Sequence, residues 1–269
     1  MNMLGAKLVF ICLLYSVSIF CVDFDQKDLV IVIPSYNNSK WYKKNLDSVF
    51  DQKYVRYRII YIDDFSQDNT GNLVQEYIDS HPLGSKVTLI KNKKRLGGLA
   101  NTYYASHSCQ DHEVILTLDG DDWLIGDDVL LTINQAYQDD HVWLTYGNYE
   151  YFPPWNKPGV CKPIPKKIID SNEFRKFDWV TSQLRTFYAW LFKRIKKEDL
   201  QYNGSFFPMA WDLAMMFPML EMCGDRFLFI NKTLYIYNVT NPINDFKKNI
   251  KLQQNLEKII RKRSKYIPI

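Results

Sequence analysis

Asp119, Asp121 and Asp122 stand within four residues at the carboxyl end of the apolar run Val114 to Leu118, with Gly120 between the first two. Carboxylates this close repel one another and raise each other's pKa unless a cation or a set of donors offsets the charge. Hard oxygen ligands at a strand end suit Mg²⁺ or Mn²⁺, ions that are usually shared with substrate phosphates. The stretch Leu116 to Trp123 therefore reads as a metal–phosphate site, the alternative being an acidic turn that caps a helix. Two other apolar runs end in residues of the same interest. Asp28 to Ile33 leads into Pro34-Ser35-Tyr36, and Tyr57 to Ile62 ends in Asp63-Asp64.

The elements between these segments must position them. Trp41, Leu46, Val49 and Phe50 recur near helical spacing, and Asp68-Asn69-Thr70 forms a helix start before Leu73, Val74, Tyr77 and Ile78. Lys86 to Ile90 reads as a third strand. Gly97-Gly98 opens a helix to about Ser108, and Asp127-Asp128 begins another that carries Val129, Leu130, Ile133 and Ala136. Strand–helix alternation with near-continuous apolar strands means βαβ units and a parallel sheet. Ligands of such sheets bind outside the carboxyl ends of the strands, so the three segments are expected to converge on one crevice.

Beyond residue 140 the texture changes. Val142 to Phe152 is strand-like, prolines from Pro153 to Pro165 mark a loop, Phe174 to Trp190 and Trp211 to Met222 read as helices, and Phe227 to Tyr237 returns to strand. Trp143, Tyr146, Tyr149, Tyr151, Phe152 and Trp155 are core residues for the most part, with Trp155 the best candidate for a sugar-stacking face.

The chain has 269 residues, 46% of them apolar, which suits one α/β domain with a substantial core. A net charge of +4, with its dense basic run confined to Lys247 through Lys265, does not point to nucleic acid. That run reads as an amphipathic helix that packs on the domain, touches an anionic membrane surface peripherally or lends a cation to a diphosphate. Lys7 before the apolar run Leu8 to Val22 reads as a secretory signal peptide, or an uncleaved signal anchor, and places the protein in the secretory pathway or outside the cell. The division is then residues 1–22 targeting segment, 23–240 catalytic domain (23–140 nucleotide-binding half, 141–240 acceptor half) and 241–269 basic helix. Outside the targeting run, Cys109, Cys161 and Cys223 show no CxxC spacing, which argues against a disulfide framework or a zinc site and leaves one disulfide open.

Taken in order, the segments Val30-Ile31-Val32-Ile33-Pro34-Ser35-Tyr36-Asn37, Ile60 to Thr70 and Leu118-Asp119-Gly120-Asp121-Asp122 make the chain resemble a family 2 glycosyltransferase of GT-A fold from about Asp28 to Val239. The resemblance implies a single α/β catalytic domain, Rossmann-like, with a mostly parallel sheet and flanking helices. It implies transfer of a sugar from a UDP-sugar to a hydroxyl on a glycan, protein or lipid, with inversion and with Mn²⁺ or Mg²⁺. Pro34, Ser35 and Tyr36 then line the nucleoside, and Asp64, with Asp63 beside it, accepts a hydrogen bond from the base, which suits the imide N–H of uracil. Asp119 and Asp121 are the metal pair of the DxD pattern: Asp121 holds the ion on the diphosphate, and Asp119 also faces the ribose or donor sugar. Asp122 supports the ion through water, and Arg95, before Gly97 and Gly98, contacts the nucleotide.

The family's base is an Asp in the second half, commonly closing a Glu-Asp pair. Here Phe207 to Ala214 holds no such pair, and Asp212 is its one carboxylate and the candidate base. The bland alternative is a helix-start Asp stabilised by the helix dipole. Arg185 either approaches the diphosphate or lies solvated on a helix. Rival functions are a non-catalytic nucleotide- or glycan-binding module of the same fold and a sugar nucleotidyltransferase, which would need a glycine-rich basic loop where Pro34 to Asn38 stands.

Overall fold

The computed structural model describes residues 25–154, 159–243 and 249–269; the targeting segment 1–22, Trp155 and Lys247 lie outside the described residues. In chain order the elements are β1 (Leu29–Ser35), α1 (Tyr42–Phe50), β2 (Tyr57–Asp63), α2 (Thr70–Ser80), β3 (Val87–Lys91), α3 (Gly98–Ser108), β4 (Val114–Thr117), β5 (Trp123–Leu124) and α4 (Val129–Ala136). Then follow β6 (Leu144–Phe152), α5 (Lys166–Asp170), β7 (Arg185–Tyr188), α6 (Ala189–Lys193), the β8 (Gln201–Tyr202) and β9 (Ser205–Phe206) ribbon, α7 (Trp211–Cys223), β10 (Phe227–Asn238) and α8 (Ile250–Arg261).

Alternation along β1 explains why the sheet is covered on both faces. Val30 and Val32 join one apolar cluster with residues of α3, α6 and α7. Leu29, Ile31 and Ile33 join the other with residues of α1, α2 and α4. A strand buried on both sides reads as a continuous apolar run, as β1, β2 and β4 do. The sheet order is β3-β2-β1-β4-β7-β6-β10-β5. β1 runs parallel to both β2 and β4, and β2 to β3, so the carboxyl ends of the first strands share one edge.

The second half departs from the sequence reading. No α-helix forms between Phe174 and Tyr188. A 3₁₀ turn at Phe174–Lys176 gives way to extended chain and to β7, which pairs antiparallel with β4 on one side and β6 on the other. The reason is burial. Thr186 and Phe187 are fully enclosed, and the Thr186 hydroxyl meets Thr145 Oγ1 at 2.6 Å and the Tyr137 hydroxyl at 3.0 Å. An interior strand enclosed on both faces carries no alternation to separate it from a buried helix. Helix α6 ends at Lys193, and a 3₁₀ turn follows at Lys197–Leu200.

Helix α8 packs into the domain through Leu256 and Ile260. A buried ion pair fixes it there: Arg175 donates to Glu221 at 2.6 and 2.9 Å and to the Ile260 carbonyl at 2.7 Å, while Tyr266 N–H donates to Glu221 at 3.0 Å. Cys109, Cys161 and Cys223 are free and buried. Among the described residues no helix is long and apolar enough to cross a membrane.

Candidate active site

A cavity of about 470 Å³ opens where β1, β2 and β4 end, and the second half of the chain closes its far side. Ser35 at the end of β1 is held by the hydroxyl of Tyr61 (2.8 Å) and by Asn38 Nδ2 (3.1 Å). The loop after β4 passes so near it that a Cβ on Gly120 would lie 2.6 Å from Ser35 Oγ. The glycine between the two aspartates is thus required by close approach of the β1 and β4 loops, which seats Asp119 and Asp121 over the β1 end.

Asp64 and Asp63 part company. Asp64 is buried in the cavity wall, and its carboxylate accepts hydrogen bonds from Asn92 Nδ2, Leu96 N–H and Gly97 N–H, each at 2.8 Å. It therefore pins the loop that carries Arg95, whose guanidinium lies 3.8 Å from the centroid of the Tyr36 ring. Asp63 points elsewhere. A Cβ on Gly71 would meet its Oδ2 at 2.6 Å, so its carboxylate lies against the start of α2, outside the cavity lining.

The carboxylates of the β4 loop are individually braced. Asp119 accepts from Gln183 Nε2 at 3.0 Å, and Asp121 accepts from Asn241 Nδ2 at 2.7 Å. Asp122 is turned to β10, where it accepts from the Tyr235 hydroxyl at 2.6 Å and from Asn238 N–H at 2.7 Å. Burial, together with the charges of Asp121 and Asp119, pushes the Asp122 carboxyl well above the usual carboxylate range. Three carboxylates gathered this closely suit a divalent ion, which offsets their mutual repulsion. Among the described residues no three His, Cys, Asp or Glu side chains converge as a ready-made cage. The donor set fits an ion held by one or two carboxylates and completed by phosphate oxygens and water, as Mg²⁺ and Mn²⁺ commonly are.

Asp212 lies at the start of α7 and lines the same cavity, with about a quarter (27%) of its side chain accessible. Its Oδ2 is 3.6 Å from Arg185 Nη1. Burial raises its pKa, and the Arg185 charge and the Leu213 N–H only partly offset that, so the net shift is upward. Arg185 is not a solvated helix residue: it is buried on β7 and faces the cavity beside Trp211. Pro34, Ser35, Tyr36, Asp64, Arg95, Asp119, Asp121 and Asp212 are thus brought together, and Asp63 is not. Gln183, Trp211, Tyr237 and Asn241 also line the site, and no motif or spacing in the sequence marks them.

Residues 30–200, more than half of the chain, match the profile of glycosyl transferase family 2. The chain belongs to that family. GlyG, a glycosyltransferase of Streptococcus pneumoniae serotype 4, is 25% identical over 77% of this chain and 69% of its own length. WfgD of Escherichia coli, a UDP-Glc:alpha-D-GlcNAc-diphosphoundecaprenol beta-1,3-glucosyltransferase, is 32% identical over 54% of each chain. The GT-A fold is shared with S. aureus TarS 1-349, solved in complex with UDP-GlcNAc (TM-score 0.61, 16% identity, 80% of this glycosyltransferase and 59% of that chain). It is shared too with the mannosyltransferase PcManGT from Pyrobaculum calidifontis, solved with GDP-Man and Mn²⁺ (TM-score 0.55, 17% identity, 91% and 68%).

Proposed function

We propose that this glycosyltransferase moves a sugar from a UDP-sugar to a hydroxyl acceptor on a glycan, protein or lipid, with inversion and with Mn²⁺ or Mg²⁺. The observation that carries the reading is the meeting, in one cavity, of the Asp119–Asp121 pair and the Asp64–Arg95–Tyr36 wall with a separate carboxylate, Asp212, from the second half. Two groups of opposite task share one space. The first binds a nucleoside diphosphate, and the second takes a proton. The nucleotide sugars named with TarS and PcManGT support the donor class.

Asp121 and Asp119 would hold the divalent ion, which neutralises charge developing on the diphosphate leaving group. Tyr36 and Ser35 line the nucleoside, and Asp64 accepts from the base while pinning the Arg95 loop. Asp212 accepts the proton of the acceptor hydroxyl as that oxygen bonds to the anomeric carbon. The bond from that carbon to the diphosphate breaks with its electron pair leaving on the diphosphate, and attack from the opposite face inverts the centre. Residues 23–140 carry the donor and 141–240 the acceptor.

The test is a panel of nucleotide sugars, with and without Mn²⁺, read as released nucleoside diphosphate. Metal-dependent release from a UDP-sugar supports the reading. Asp121→Asn should abolish metal-supported turnover with the fold intact by circular dichroism. Undiminished turnover in that variant removes the mechanism.

A further inference from the structure

Asp212 is partly enclosed, with about a quarter of its side chain accessible. Trp179, Trp211 and Tyr237 line the same cavity, and burial favours the protonated acid. A carboxyl takes a proton only in its ionised form, so a fixed cation beside Asp212 favours its use as a base. Among the described residues, Arg185 on β7, Glu257 on α8 and Tyr237 on β10 act electrostatically with Asp212. Glu257 repels a carboxylate there and is itself paired with Arg261 at 2.8 Å. Among the described residues Arg185 is the cation within 4 Å of Asp212.

Arg185 is unusually well suited to this. Its position in β7 is set by pairing opposite Thr117 of β4 and Tyr146 of β6, so its backbone cannot drift. Its side chain is 3% exposed, and its Nε has no hydrogen-bond partner among the described residues, a cost that a merely structural residue would be expected to avoid. A guanidinium stays charged when buried, where an ammonium would tend to lose its proton. The 3.6 Å contact is an ion-pair distance and not a bidentate hydrogen-bonded fork, so the charge acts on Asp212 without occupying the carboxylate as a fork would.

We infer that Arg185 is the positioning residue of the base: its buried guanidinium keeps Asp212 ionised and aimed for the acceptor proton, and its role is not to grip the donor diphosphate. The inference rests on Asp212 being the base of the proposed reaction.

The test reads Asp212 directly and needs no substrate. The full chain is labelled with ¹³C at aspartate carboxyls, the Asp212 resonance is assigned by its loss in Asp212→Asn, and its titration is followed in wild type, Arg185→Gln and Arg185→Lys. In Arg185→Gln the midpoint should rise by about one unit or more, the effect of removing an opposite charge at this range. Arg185→Lys, which keeps a weaker and less fixed charge, should fall between and carries the test if the glutamine variant does not fold. Affinity for UDP with Mn²⁺, measured by calorimetry, should stay within about twofold of wild type, because a group that contacts no donor contributes no binding difference. An unmoved midpoint overturns the inference. So does a folded variant that loses UDP affinity tenfold, which would make Arg185 a donor contact. The titration stands whether or not a transfer reaction is found, so its failure is separable from failure of the proposed function.

Discussion

Replacing Asp64 with Asn removes one acceptor oxygen from a carboxylate that now takes three hydrogen bonds at 2.8 Å, from Asn92 Nδ2, Leu96 N–H and Gly97 N–H. An amide can direct its oxygen at the first two donors only by turning its NH₂ group toward the third. One donor then faces a donor, and the remaining two bonds lose their ionic character. A hydrogen bond to a charged group is worth about 1.5–3 kcal/mol net, and a neutral one about 1. Because the loop can turn its N–H groups to water, the expected loss of stability is about 1–2 kcal/mol, measured by urea unfolding. The same loop carries Arg95 onto Tyr36. If it is no longer pre-ordered, binding must supply that ordering, and UDP affinity should fall by about tenfold for each 1.4 kcal/mol. A variant within about 0.5 kcal/mol of wild type and with undiminished UDP affinity would refute this reasoning. A loss for UDP with CDP affinity unchanged would place the work of Asp64 in reading the base instead of in holding the loop.

The buried pair beneath α8 and the surface of β2 give two more expectations. Glu221→Ala leaves Arg175, itself only 5% exposed, with its charge unmatched, and should cost about 3–5 kcal/mol in urea unfolding, whereas removing both charges together should cost clearly less. A single variant that loses under about 1 kcal/mol would remove that role for the pair. For Glu113, burial pushes the carboxyl up, but the Arg58 hydrogen bonds (2.8 Å each), the Gln110 N–H and the Arg58 charge outweigh it and hold it below the usual range. A folded-state pKa below the unfolded value of about 4.3 stabilises the fold above that pH and loses the contribution as pH falls through the folded value. The stability gap between wild type and Glu113→Gln should be wide at pH 7 and close as the solution is acidified, and a gap independent of pH would show that the ion pair is not its source.

The sequence by itself determined the strand-end side of the candidate site in this glycosyltransferase. Strands β1, β2 and β4 are short apolar runs whose side chains must be buried on both faces, and a parallel sheet places their carboxyl ends along one edge. Ser35, Asp64, Asp119 and Asp121 therefore meet for reasons that local pattern already contains. Their motifs were legible because chemistry, and not packing, accounts for carboxylates at the ends of buried strands. Only the tertiary structure decided the side of the site that carries Asp212. Arg185 belongs to an interior strand without alternation, and it becomes a partner of Asp212 only when β7 inserts between β4 and β6. Asp63 and Asp64 are neighbours with equal chemistry, and the close approach of Gly71 sends one away from the cavity. Gln183 and Asn241 are ordinary amides that reach Asp119 and Asp121 across 64 and 120 residues. No local spacing encodes contacts of that range, because they form only when burial of separate apolar faces has already brought the segments together.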